Sequence, residues 1–250
     1  MQKAKIKIIV FLIVVVALIS LVAKNSDLKP VFCGEIKKQL PVYSVDRADK
    51  KIAITFDCAW GDEFTEGILA EVKKFNVKCT FFAVSFWVEK YPEHVKNLSE
   101  SGVEIGTHSK THSHMSKLKK EEIEEELIYS AKAIENITGK KVTLFRAPFG
   151  EYTDTLLSVA KSLDMTTIQW DVDSLDWKDL SAAEIAARVI KKTASGSIIL
   201  CHNNGKNTLK ALPIIFSDLL DKGYEFVTVS ELLLEGETFI DSSGKQKAAL

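Results

Sequence analysis

Ala53–Glu63 reads "AITFDCAWGDE": a short apolar run that ends in Asp57, followed at once by Cys58, Trp60, Gly61 and the two acids Asp62 and Glu63. With Lys51 and Ile52 in front, "KIAITFD" has the length and β-branched content of a buried strand. A core strand has no packing reason to finish in an acid, so Asp57 marks a position where the fold and its chemistry meet. Trp60 and Gly61 shape the turn that follows.

Outward from this strand, the same pattern recurs. "KCTFFAV", "VEIGTH", "KVTLFRAP", "TTIQWDV", "GSIILCH" and "EFVTV" are further short apolar runs. Helical periodicity separates them, over 64–75, 93–101, 154–163, 182–193 and 208–222, and over a longer segment that Ser116 would cap and Gly139 would stop. Seven strands alternating with helices predict parallel βαβ units in one α/β domain, and 250 residues suffice for it. Asp57, His108, Arg146, Asp173, Asp176 and His202 all fall at or just past the C-terminal ends of strands. Parallel barrels and sheets gather such ends on one face, so these side chains are expected to converge there.

Composition bounds the rest. The net charge of −1 lacks the basic excess of a nucleic-acid binder, and no nucleic-acid partner is expected. The run "KLKKEEIEEEL" alternates sign as a solvated helix face does. Cys33, Cys58, Cys79 and Cys201 lack the close paired spacing of a zinc knuckle and are expected to be free thiols. At the N-terminus, Lys3, Lys5 and Lys7 precede the uncharged run from Ile8 to Ala23. Residues 1–24 therefore read as a signal anchor, with a cleaved signal peptide as the alternative. The lysines stay inside and the remaining chain lies outside the cell membrane, or is secreted if the segment is cut. Residues 25–49, with Pro30, Gly34 and Pro41, read as a spacer, 50–234 as the domain, and 235–250 as a C-terminal tail.

"HSKTH" places His108 and His112 four apart, a spacing that brings two imidazoles to one cation if the segment turns helically. The ordered set "TFD", "HSKTH", "RAPFG", "DSLDW" and "IILCH" resembles the five motifs of the polysaccharide deacetylase family, the NodB-homology domain of carbohydrate esterase family 4. The resemblance covers Lys50–Leu234. "TFDCAWGDE", "VDSLDW" and "KGYEFVTVSEL" are similar in particular to its sporulation-associated branch, which works on cell-wall peptidoglycan.

This resemblance implies a distorted (β/α) barrel and the removal of acetyl groups from N-acetylated amino sugars in a cell-wall polysaccharide. It also implies a divalent metal ion: zinc, with cobalt or manganese as alternatives. Asp57 would be the general base, His108 and His112 metal ligands, and Arg146 the partner that keeps Asp57 ionised. Asp176 would orient His202, the general acid. Phe149 would stand beside the oxyanion, and Trp177 and Leu200 would wall the acetyl pocket. Amide hydrolysis needs these functions, since the acetamide is a poor electrophile with a poor leaving group.

One position departs from the pattern. The family's first motif has two adjacent aspartates, the second a metal ligand, and this chain has Cys58 there. Cys58 could bind as thiolate, Asp62 or Glu63 could reach back, or two histidines and water could suffice. Asp62 is favoured, because Gly61 allows a fold-back. Three functions are consistent with the sequence: a metal-dependent peptidoglycan deacetylase, a wall-binding pseudoenzyme that has lost its metal, and a hydrolase of a non-sugar amide.

Overall fold

A computed structural model describes residues 39–249. The central strand is β2 (Lys51–Cys58), flanked by β3 (Thr80–Ala83) and β8 (Ile198–His202). Beyond β3 lie β4 (Glu104–Thr107), β5 (Leu144–Phe145) and β6 (Thr166–Thr167), and beyond β8 lies β7 (Val172–Asp173). All these pairings are parallel, and β9 (Glu225–Phe226) adds to the start of β2. β6 and β7 lie at the two ends of this row yet are consecutive in the chain, so the sheet curls and a short segment bridges its two unpaired edges. The result is the distorted (β/α) barrel that the sequence leads one to expect.

The stretch "TTIQWDV" is therefore two strands and not one. It leaves β5, crosses the gap at Gln169 and Trp170, and joins β8. The crossing is held by Val42, whose carbonyl accepts from Gln169 N at 2.7 Å, and by Arg146, whose Nη2 donates to the Gln169 carbonyl at 3.1 Å.

Eight helices are described: α1 (Thr65–Lys74), α2 (Ser85–Lys90), α3 (Pro92–Glu100), α4 (Lys120–Thr138), α5 (Asp154–Ser162), α6 (Ala182–Lys192), α7 (Thr208–Asp221) and α8 (Val229–Leu232). Strand alternation splits the core into two layers. Ile52, Ile54, Phe56 and Cys58 face the helices, where Phe56 meets Phe81 at 4.9 Å between ring centres. Ala53, Phe82, Leu144, Ile168 and Ile198 fill the barrel interior. Gly106 leaves room for Phe82, since a Cβ there would meet that ring at 2.7 Å.

Helix α4 ends at Gly139 in the left-handed conformation, as expected, but it does not start at Ser116. Met115–Lys117 forms a separate 3-10 turn, and Ser116 Oγ donates to Glu151 at 2.7 Å. The spacer and tail are also more ordered than composition suggests. β1 (Ser44–Val45) pairs with β11 (Lys245–Ala248), which pairs antiparallel with β10 (Thr238–Ile240). Val42 and Val45 are buried, so 42–45 and 238–248 pack as part of the domain. The expected anchor over 1–24 and most of the spacer lie outside the described residues.

Candidate active site

Asp57 and His202 are register partners on β2 and β8, so the two side chains stand next to each other at the barrel mouth. His108 follows β4, Arg146 follows β5, and Asp176 lies in the turn after β7. These residues open onto a cleft of about 580 Å³ lined in part by Asp57, His108, His112, Phe149, Leu200 and His202.

Asp57 is built into the barrel interior. Its Oδ1 accepts from Arg146 Nη1 at 2.7 Å, and the same Nη1 donates to Thr55 Oγ1 at 2.8 Å. The guanidinium lies over Phe82, 4.2 Å from the ring centre, and is fully buried. Burial opposes ionisation of Asp57, but the charge of Arg146, with smaller contributions from His108 and His202, holds its pKa below the ordinary carboxylate value. Asp57 is thus a buried, ionised acceptor.

The second charged pair is Asp176–His202. Asp176 Oδ1 meets His202 Nδ1 at 2.7 Å, while its Oδ2 accepts from His202 N at 2.8 Å and Thr208 Oγ1 at 2.6 Å. Burial works against the imidazolium, but the hydrogen bond and charge of Asp176 outweigh it and raise the His202 pKa. With Nδ1 tied to Asp176, Nε2 is the nitrogen left to donate into the cleft.

His108 Nδ1 lies 2.8 Å from the carbonyl oxygen of Arg146, which can only accept, so Nδ1 carries the proton. Its unprotonated Nε2 lies 3.6 Å from Asp57 Oδ2. His112 stands with its ring centre 5.0 Å from that of His108. No helical turn brings it there: Ser109 and His112 both have positive φ, and Glu126 clamps the loop by accepting from Lys110 N, Thr111 N and Thr111 Oγ1. Burial lowers both imidazole pKa values, that of His112 to about 4, so both rings are neutral.

The expected third donor is not with them. Cys58 lies on the opposite face of β2 from Asp57, fully buried among the helix-facing residues, and burial pushes its thiol pKa well up. Asp62 is also elsewhere. Gly61 does adopt positive φ, but it turns the chain towards α3, where Asp62 Oδ2 meets His94 Nε2 at 3.0 Å. Among the described residues, no group of three His, Cys, Asp or Glu side chains is placed to hold a metal ion. The donors therefore do not fit the three-ligand centre that the resemblance implies, and neither Asp62 nor Cys58 completes it.

The expected substrate-side residues do line the cleft. Phe149 has φ 60 in the 3-10 turn Pro148–Gly150 and presses its ring against His112 and His114. Leu200 is buried in the wall, and Trp177 is 59% exposed at the rim, more a lip than a core residue. The sequence reading passed over Trp170 and Asn204 and treated Trp60 only as turn-forming, yet all three line the cleft. Neither Trp170 nor Asn204 leaves a signal: Trp170 lies within the apolar run "TTIQWDV" and Asn204 within "HNNG".

Comparisons with known proteins agree with this fold and motif order. Residues 44–168 match the polysaccharide deacetylase family. The chain is 32% identical over 209 residues to the peptidoglycan-N-acetylglucosamine deacetylase PgdA of Listeria monocytogenes, covering 82% of this chain and 44% of that protein. It thus spans less than half the length of that relative. Among solved structures, it is similar to a CE4 family pseudoenzyme from Bacillus anthracis, with a TM-score of 0.75 and 34% identity over 77% of this chain and 68% of that one. A mutant of that pseudoenzyme is described as having restored enzymatic activity. The Bc1960 peptidoglycan N-acetylglucosamine deacetylase matches with a TM-score of 0.75 and 32% identity, over 77% of this chain and 92% of that one. Fold, motif order and sequence identity agree: the chain belongs to the polysaccharide deacetylase family.

Proposed function

We propose that this chain hydrolyses N-acetyl groups of an amino-sugar polymer, cell-wall peptidoglycan. The observation that carries this reading is the pair of complete proton-transfer units, Arg146–Asp57 and Asp176–His202, held side by side across one cleft. A binding module has no use for a buried, ionised carboxylate beside a histidine whose pKa is raised.

The chain's own residues account for the proton movements. Asp57 Oδ2 accepts a proton from the attacking water, and Arg146 keeps it anionic until then. As the tetrahedral intermediate collapses, His202 Nε2 donates to the departing amine nitrogen, and Asp176 stabilises the imidazolium beforehand. Leu200 and Trp170 exclude water from the acetyl methyl. A divalent ion would supply Lewis acidity, but His108 and His112 alone offer it two protein donors, and no step here passes through it.

The resemblance to the sporulation-associated branch supports action on the wall of a sporulating cell. The lysine-flanked run Ile8–Ala23 supports delivery of the domain outside the cell membrane. A second reading, a wall-binding pseudoenzyme, draws on the turned-away Cys58 and on the likeness to the B. anthracis pseudoenzyme.

One assay separates the two. Acetate release would be measured from N-acetylglucosamine oligomers and from purified peptidoglycan, with and without added zinc, cobalt or manganese. Asp57→Asn should lower turnover by about a hundredfold or more. Release that is absent under every metal condition, with binding of the polymer retained, would favour the pseudoenzyme.

A further inference from the structure

Trp60 is 57% exposed and Phe86 36%, and the two rings lie 6.2 Å apart between centres at the edge of the cleft. Trp60 continues inward to His112, whose ring centre is 4.7 Å away, and His112 continues to Phe149 at 4.7 Å. An aromatic strip therefore runs from the reacting centre outward onto α2. Exposed rings of this size, contiguous with a cleft, mark a contact surface.

The backbone beneath Trp60 is fixed. The carbonyl of Gly61 accepts from Trp87 Nε1 at 2.7 Å and from Asn203 Nδ2 at 3.0 Å. One residue further, Asp62 is tied to His94, which also meets Glu66 at 2.8 Å. The loop that failed to bring Asp62 to the histidines is thus a clamp that holds an indole out in water. A rigid exposed ring loses little freedom on binding a flat apolar surface.

We propose that Trp60, backed by Phe86, is a stacking shelf for the sugar next to the one being deacetylated. The proposal rests on the reading of the cleft as a deacetylase site. It commits to one occupant, a neighbouring hexopyranose of the same glycan strand. Two features point to it. Trp60 lines the cleft and the strip continues from it, so a polymer seated with one N-acetyl group near Asp57 has this strip as an aromatic path for its next sugar. The shelf is also aromatic without a charged side chain in its ring contacts, which suits the C–H face of a β-1,4-linked pyranose and not an ionic ligand.

The test measures binding, so it does not depend on turnover. In the Asp57→Asn background, titration calorimetry would compare the β-1,4-linked tetramer of N-acetylglucosamine with the monomer. The parent should bind the tetramer more tightly than the monomer, and Trp60→Ala should weaken tetramer binding about five- to tenfold, the loss expected for one aromatic contact. Trp60→Phe should recover most of it, and Phe86→Ala should weaken it about threefold. If Trp60→Ala does not fold, Trp60→Leu, apolar but without a ring face, carries the same expectation as the alanine variant. Tetramer affinity within twofold of the parent in the alanine or leucine variant overturns the shelf and leaves the reading of the cleft intact. A parent protein that binds neither tetramer nor peptidoglycan overturns the reading of the cleft itself, and the shelf with it.

Discussion

Replacing Arg146 by methionine removes the cation that donates to Asp57 while preserving much of the apolar stem. The structure sets the size of the effect. Arg146 is fully buried, donates to Asp57, Thr55 and the Gln169 carbonyl, and lies over the Phe82 ring. Breaking a buried pair by removing one partner strands the other charge, an effect of about 3–5 kcal/mol. The fold should survive this loss, since domains unfold at about 5–15 kcal/mol, but with little margin.

The dependence on pH gives the sharper check. In the wild-type protein Asp57 titrates below its unfolded value, so its stabilisation is present above the ordinary carboxylate range and is lost as pH falls through the folded pKa. Without Arg146, burial loses its main opponent and the folded pKa rises above the unfolded one. The sign then reverses, and the variant loses stability as pH rises from about 4 towards its new folded pKa. Urea unfolding of Arg146→Met should therefore lie closer to wild type at about pH 4.5 than at about pH 7. The double variant Arg146→Met with Asp57→Asn should be less destabilised than the sum of the two single variants by at least about 2 kcal/mol. A single-variant loss under about 1 kcal/mol, equal at both pH values, would refute the claim that Arg146 holds a buried carboxylate ionised.

Asp176→Asn should lower the His202 pKa, because it removes the partner that outweighs burial. The alkaline limb of the acetate-release profile should move to lower pH, and an unmoved limb would detach His202 from the acid role. Cys58→Ser should change zinc affinity, read by calorimetry, less than about twofold, since the thiol faces the helices. Cys58→Asp should instead place a carboxylate in apolar core and reduce stability by about 2–4 kcal/mol. An aspartate variant that keeps its melting midpoint and tightens zinc would show that the strand end turns over. Asp62→Ala should leave metal affinity unchanged and lower the His94 pKa, which Asp62 and Glu66 together raise, a titration visible by NMR, and a tenfold loss of zinc affinity would restore Asp62 as a ligand.

The placement of most functional residues was legible because parallel strands have a direction. Any polar side chain at the end of "KIAITFD", "VEIGTH", "KVTLFRAP" or "GSIILCH" must arrive at the same face, and Asp57, His108, Arg146 and His202 do. What was not legible depended on partners distant in sequence. "TTIQWDV" carries no mark of its switch from β5 to β8, because that break is dictated by Val42 and Arg146. The six-residue helix α2 is too short for a periodic signal, and burial of Trp87 and Val88 is what defines it. Val42 and Val45 look like linker residues until β11 pairs beside them.

The fate of Asp62 shows the same limit at the site. Gly61 does permit a reversal, as its positive φ shows, but torsional freedom does not choose a direction. Trp87 and Asn203 choose it by donating to the Gly61 carbonyl, and His94 completes the choice. The partner of Cys58 is decided more simply. β2 stays in register with β3 through the pair Cys58–Ala83, so alternation must send the side chain at 58 to the helices. The proton-transfer units do not depend on that peptide, since they rest on β2 up to Asp57, on β8 and on the barrel interior. A third protein donor beside His108 and His112, were residue 58 to supply one, would depend on it. The deacetylase and binding-protein readings differ in what they ask of residue 58, so the Cys58 variants, read for both stability and metal affinity, complement the acetate-release assay that separates the two.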